Sequence, residues 1–185
     1  QKSELAGTAI FEEDKLIGFL GAEDSKYYLF VKNEIEGGLL AVKGSAKSLD
    51  DDITLEIFKS KTKQTPLYSN GRITMNIDVR TKVSIAEIDM SKDVISEKGR
   101  KALKEKAEKM VKEKIESVIK QVQKEYGVDV FGFGNTIKKE KPALWKSVSN
   151  DWDTIFKNLD TKVKVEIEIA ESGQMSKPIK IGGDK

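Results

Sequence analysis

Two short runs of like-charged side chains have types and spacing that could do chemistry: Asp50-Asp51-Asp52, and Lys59, Lys61 and Lys63 at alternate positions. The groups that most often accompany such runs in a catalytic or metal site are missing, because the sequence contains no His and no Cys. Without imidazole, no side chain has an ordinary pKa suited to shuttling protons near neutral pH. Without thiols there is no thiolate nucleophile, no disulfide and no His or Cys metal ligand. Carboxylate, Lys and Ser/Thr chemistry stays open. A calcium loop of the EF-hand type alternates its ligands, turns on a Gly and ends in Glu. Three adjacent aspartates do none of this, so they read as a solvated loop leading into a strand. A carboxylate hydrolase would need two acids about 5–9 Å apart in a cleft, and no pair is marked for that role.

The lysine series is more informative. At period two, the three ammonium groups share one face of a strand. Such a ladder protects a sheet edge from pairing with another chain. It also suits an anionic partner, either lipid headgroups or an acidic protein. Lys59, Lys61 and Lys63 are therefore candidate contact residues. Tyr27 and Tyr28 join them, because adjacent residues point in different directions and one ring is expected to face solvent. Phe131-Gly132-Phe133-Gly134 is the most distinctive local motif. It lacks the Lys-Ser/Thr end of a phosphate loop, and reads as a tight turn with its rings in the core. Trp145 and Trp152 also read as core anchors; an exposed indole would instead be a binding hot spot.

The elements that position these residues follow from length and pattern. A chain of 185 residues is long enough for one domain with a real core. The 33 basic and 31 acidic residues nearly cancel, which argues against a nucleic-acid surface. Arginine, the residue suited to bidentate phosphate or base contacts, occurs only at positions 72, 80 and 100. No stretch approaches the roughly 20 apolar residues of a membrane span. The first residue is Gln1, read here as a trimmed or processed start, which is compatible with prior removal of an anchor or export signal.

TAIF and LIGFL, separated by Glu12-Glu13-Asp14-Lys15, predict a hairpin. Residues 23–34 predict a helix ended by Gly37-Gly38, with a buried strand over Tyr27–Val31 as the alternative. LLAV predicts a short strand. Ile53, Leu55 and Ile57 open a long strand whose far end, KSKTKQT, lies in solvent or at an edge. Pro66 to Gly71 predicts a turn. Apolar residues then fall at odd positions from Ile73 to Ile85, a strand buried on one face. From Ser96 to Tyr126 the period changes to three and four, the stripe of a long amphipathic helix with Gly127 as C-cap. Glu105–Lys109, Glu108–Lys112 and Glu116–Lys120 are expected as ion pairs along it. Short helices follow over Asn135–Glu140 and from Pro142, and Asn150 with Asp153 resembles a capping box. The last strand alternates through Val163, Val165, Ile167 and Ile169 and is closed by Gly173. The fold expected is α+β: a mostly antiparallel β-sheet with one face covered by a long amphipathic helix, and additional short helices.

In this order the elements resemble the C-terminal domain of the Ger(x)C family, the lipoprotein C subunit of bacterial spore germinant receptors. The likeness runs from Gly7 to Gly173. It is carried by GTAIFEEDKLIGFL, ITLEIFKSKTKQTP and KIESVIKQVQKEYGVDVFGFG, then by Pro142 with Trp145, Trp152 with Phe156, and VKVEIEIAESG. The resemblance implies one domain over 7–173 with flexible ends at 1–6 and 174–185. It implies a parent lipid-anchored on the outer face of the spore inner membrane. The parent's export signal, lipid-bearing cysteine and preceding domains are not in this sequence. Integral-membrane receptor subunits are the expected partners, with an anionic lipid surface beside them. Nucleic acid, metal and cofactor are not expected. Three functions compete: a contact subunit in receptor assembly or signalling, a small-molecule (nutrient) binding module, and a carboxylate hydrolase. The first is preferred.

Overall fold

The computed structural model describes residues 7–43, 53–87 and 96–170. The expected flexible ends, the Asp50–Asp52 run and the closing Gly173 lie outside the described residues.

The chain opens with a hairpin, β1 (Gly7–Glu12) and β2 (Lys15–Gly21), paired antiparallel from Gly7↔Gly21 to Glu12↔Lys15. The helix α1 (Ala22–Lys32) follows at once. It ends one turn earlier than Gly37-Gly38 would suggest. Asn33 takes the left-handed conformation (φ 59°) and its N–H closes onto the carbonyls of Leu29 and Phe30. The Asn33 side-chain oxygen also accepts from the Thr62 N–H at 2.6 Å, which fastens the helix end to the sheet.

The main sheet has the order β3 (Gly38–Val42), β4 (Ile53–Ser69), β5 (Arg72–Glu87), β6 (Asp160–Ile169). The first three strands are antiparallel, and β6 joins β5 in parallel from Thr74↔Asp160 to Val83↔Ile169. The strict alternation holds: Ile77 and Ile167 are 0 % and 1 % exposed, while Asp78, Arg80 and Glu168 face solvent.

β4 solves a conflict written into its sequence. Ile53, Leu55 and Ile57 are buried, and the next residues of the same parity are Lys59, Lys61 and Lys63. An unbroken strand would drive three ammonium groups into the core, where an unpaired charge is costly. A register shift between Ile57 and Lys59 inserts Phe58 as an extra residue and exchanges the two faces. Ser60, Thr62, Gln64 and Pro66 then turn inward and the lysines turn out. The expected turn from Pro66 shrinks to Asn70-Gly71, both at positive φ (51° and 75°). Pro66 stays within the strand, opposite Met75. Because β3 reaches only to Ile57, the far half of β4 has no second strand partner among the described residues, and a residue without an N–H is tolerated there.

The long helix α2 (Glu97–Gln121) runs on through a π-helical turn, Val122–Tyr126, to Gly127. The Ser96 hydroxyl caps it by accepting from the Gly99 N–H. Its 25 residues span about 37 Å. Leu103, Ala107, Val111, Ile115, Val118 and Ile119 form the buried stripe, and each large side chain removed from water stabilises by about 1.5–3 kcal/mol. The ion pairs on its wet side run opposite to expectation: Lys104–Glu108, Lys109–Glu113 and Lys112–Glu116, at 3.7–3.9 Å. Glu108 explains part of this, since its carboxylate is drawn to β6 and accepts the Ile167 N–H at 2.8 Å.

Three short helices complete the crossover: α3 (Phe133–Glu140), α4 (Pro142–Val148) and α5 (Trp152–Lys157). The capping box expected from Asn150 and Asp153 does not form. A 3-10 turn, Ser149–Asp151, winds Asn150 into the helical path and leaves α5 without a side-chain cap.

Candidate contact surface

The open face of the sheet is charged, and its charges are sorted by strand. Lys59, Lys61 and Lys63 on β4 stand opposite Lys82, Arg80 and Asp78 on β5, and those stand opposite Glu168, Glu166 and Lys164 on β6. Like charges directly opposite repel, so the Lys59/Lys82 and Lys61/Arg80 pairs need neutralising. β6 does this for β5 only. Arg80 Nε lies 3.1 Å from Glu166, and Lys82 Nζ lies 2.9 Å from Glu168. Lys164 also hydrogen-bonds Glu166, at 2.8 Å; this contact holds the Glu166 carboxyl below its usual pKa and raises the Lys164 ammonium. Among the described residues, Lys59, Lys61 and Lys63 make no ion pair. An open groove of about 1030 Å³ takes in Lys59 and Lys61 but not Lys63, and α2 lines it with both signs of charge, Arg100, Lys101 and Lys104 beside Glu97 and Glu108.

The aromatic motif lies on the other side of the same strand. Gln64, next to Lys63 but facing inward, donates to the carbonyls of Val31 (3.0 Å) and Phe131 (3.3 Å), and accepts from the Thr136 hydroxyl at 2.8 Å. Phe131 and Phe133 are buried and stack at 5.3 Å. Gly132 opens α3 at φ 76°. The Asp129 carboxylate completes the turn: it accepts from the N–H groups of Phe133 (3.1 Å) and Gly134 (2.7 Å), and from the Trp152 indole at 3.1 Å. Trp152 is buried and Trp145, half-buried, meets it edge-on at 5.5 Å. A Cβ on Gly134 would lie 2.8 Å from the Trp152 indole nitrogen and 3.0 Å from the Trp145 ring. The motif is thus a packed knot, with its distinctive residues turned inward.

The tyrosines depart from expectation. Tyr27 is 1 % exposed, and Tyr28 is half-buried with its ring 5.8 Å from Phe131. Neither is an outward anchor, because α1 packs on several sides: against the hairpin, the sheet and α2. Burial raises both phenol pKa values, helped at Tyr27 by Glu23 and at Tyr28 by Glu34. The structure therefore groups Tyr28 with Phe131, Phe133, Trp145 and Trp152 on the inner side, and keeps Lys59, Lys61 and Lys63 apart on the outer. Asp129 and Gln64 escaped the sequence reading. An acid four and five residues ahead of a helix start was a legible signal for Asp129, whereas Gln64 becomes visible only once the β4 register shift is known.

Among the described residues, no group of three or more His, Cys, Asp or Glu side chains could hold a metal ion. No helix of those residues is long and apolar enough to cross a membrane.

Comparison with known proteins agrees with this fold. Residues 6–173 match the family described as spore germination B3/GerAC like, C-terminal. Spore germination protein B3 of Bacillus subtilis (strain 168) is 29 % identical over 179 residues, covering 95 % of this chain and 47 % of that protein. Spore germination proteins YndF and KC of the same organism are 26 % and 25 % identical; they cover 91 % and 94 % of this chain, and 42 % of each relative. The chain thus spans less than half the length of these relatives. The crystal structure of the GerBC protein superposes with a TM-score of 0.82 at 29 % identity, over 92 % of this chain and 53 % of that one. The chain belongs to the GerAC-like spore germination family, as its C-terminal domain.

Proposed function

We propose that this domain serves a germinant-receptor subunit without catalysis, as a contact module for the receptor's integral-membrane subunits. Its place is the outer face of the spore inner membrane, held there by a lipid anchor elsewhere in the parent. The observation that carries this is the β4 ladder. Three exposed ammonium groups stand in a row, two of them opposite further cations and Lys63 opposite Asp78, and none is ion-paired among the described residues. An acidic surface docked there would relieve the repulsion that the fold leaves standing. The shape supports a protein over a bilayer, since a flat membrane does not follow a concave groove. It also supports contact over enclosure of a nutrient, because small-molecule sites bury most of their ligand and this groove is open.

The test is to capture the integral-membrane subunits from detergent extracts on the immobilised domain across a salt series. Retention should fall as salt rises, and Lys59, Lys61 and Lys63 changed together to Glu should abolish it at low salt. Retention unaffected by the triple change would overturn the proposal. So would binding of the domain to anionic vesicles but not to the subunits.

A further inference from the structure

The hairpin hides one face and shows the other, and both are apolar. Ile10 and Leu20 are 1 % exposed, beneath it. On the outer face, Ala9 pairs with Phe19 and Phe11 pairs with Leu16. A register shift beside Ile10 skips Ile17 and so sets Leu16 across from Phe11. Phe19 is 63 % exposed, Phe11 50 % and Leu16 44 %. These side chains make one continuous apolar patch on an outer face where a polar one would be ordinary.

The patch sits on a fixed platform. The Tyr126 hydroxyl donates to the Phe19 carbonyl at 3.0 Å, and the Ser25 hydroxyl donates to the Leu20 carbonyl at 3.3 Å. The Tyr126 ring lies so close over Gly18 that a Cβ there would collide with it. The rings of Phe11 and Phe19 are therefore held outward by a rigid element.

We infer that this patch is the seat of the polypeptide segment that precedes the domain in the longer proteins of the family. The relatives are more than twice as long as the part matched here, and the matched part is C-terminal by the family's description. Their remaining length thus leads into β1, the strand that carries Ala9 and Phe11. A segment that precedes β1 enters at the Gly7↔Gly21 end of the hairpin, one short strand away from Phe11, and is therefore within reach of the patch. Tethering also explains how a small patch suffices. Two aromatic rings and a leucine, each about half exposed, offer roughly 300 Å², well short of the ~800 Å² per partner that a stable free complex buries. A covalently linked partner is present at an effective concentration of about millimolar. The tip beside the patch, Glu12-Glu13-Asp14, carries three acids against Lys15, which opposes insertion into an anionic bilayer.

Hydroxyl-radical footprinting reads ring exposure directly. Phe11 and Phe19 should be modified strongly in the 185-residue chain at every protein concentration. In the full-length polypeptide they should be modified at least about five-fold less, as expected for an interdomain contact, while the exposed ring of Tyr68 reacts equally in both. Phe11→Asp with Phe19→Asp should leave the melting temperature of the 185-residue chain unchanged and make the junction of the full-length protein more open to protease. Equal modification of the two rings in both chains would overturn the inference. Protection that grows with concentration of the 185-residue chain would assign the patch to a second copy. Protection of the full-length protein only on adding anionic vesicles would assign it to lipid. Either of these also overturns it.

Discussion

Asp129 holds two backbone N–H groups and an indole N–H with one carboxylate. Asp129→Ala strands all three donors in a part-buried site, where each unmet donor costs about 1–3 kcal/mol. A loss of about 2–4 kcal/mol is expected, read as a lower urea midpoint at unchanged slope; Asn, which keeps one acceptor, should cost less. Gly132→Val places a β-branched residue at φ 76° and should lower protein level and melting temperature through backbone strain. Gly134→Ala should do the same through collision with the two indoles. Tyr27 gives a pH signature. Its folded-state pKa is raised, so the neutral phenol is favoured in the fold. That contribution is whole below the unfolded pKa of about 10 and is lost as pH rises past it. The melting temperature of the native chain should therefore fall more steeply above about pH 10 than that of Tyr27→Phe; identical slopes would refute it.

At the scale of elements, β5, β6 and α2 were legible because one period governs each from end to end. Ile73 to Ile85, Val163 to Ile169 and the stripe from Leu103 to Ile119 need only the rule that apolar faces seek cover. β4 resisted for a definite reason: its parity reverses at Phe58, and a reversal is invisible until the partner strand shows where the register slips. The tyrosines were misjudged for a related reason. Helical spacing separates two faces, but only tertiary packing shows that α1 is covered on both. On α2 the expected Glu108–Lys112 pair was likewise overridden, by the Ile167 N–H that claims Glu108. The register shift makes a sharp prediction. Phe58 is 42 % exposed, so Phe58→Thr should cost little, within about 1 kcal/mol. Deleting Phe58 should likewise leave a cooperative thermal transition, because Lys59 would then follow Ile57 directly and ordinary alternation would keep Lys59, Lys61 and Lys63 outward.

At the scale of the whole molecule, the covered face of the sheet provides the core and the open face presents charge, while the hairpin adds an apolar patch beside them. The family was legible in the sequence from ordered motifs, chiefly the helix running into the FGFG turn. The surface was only partly so: the lysine ladder could be read from spacing, but the claim of Arg80 and Lys82 on Glu166 and Glu168, which leaves Lys59 and Lys61 facing cations, depends on the register of β6 against β5. Calorimetric titration of the domain with amino acids, sugars and nucleosides should show no saturable one-to-one binding with Kd below about 1 mM. The most direct test of the contact account is made in spores. Full-length protein with Lys59, Lys61 and Lys63 changed to Glu should reach the spore membrane at normal abundance, fail to co-purify with the integral-membrane subunits, and slow germination. Normal co-purification and a normal germination rate at that abundance would contradict it.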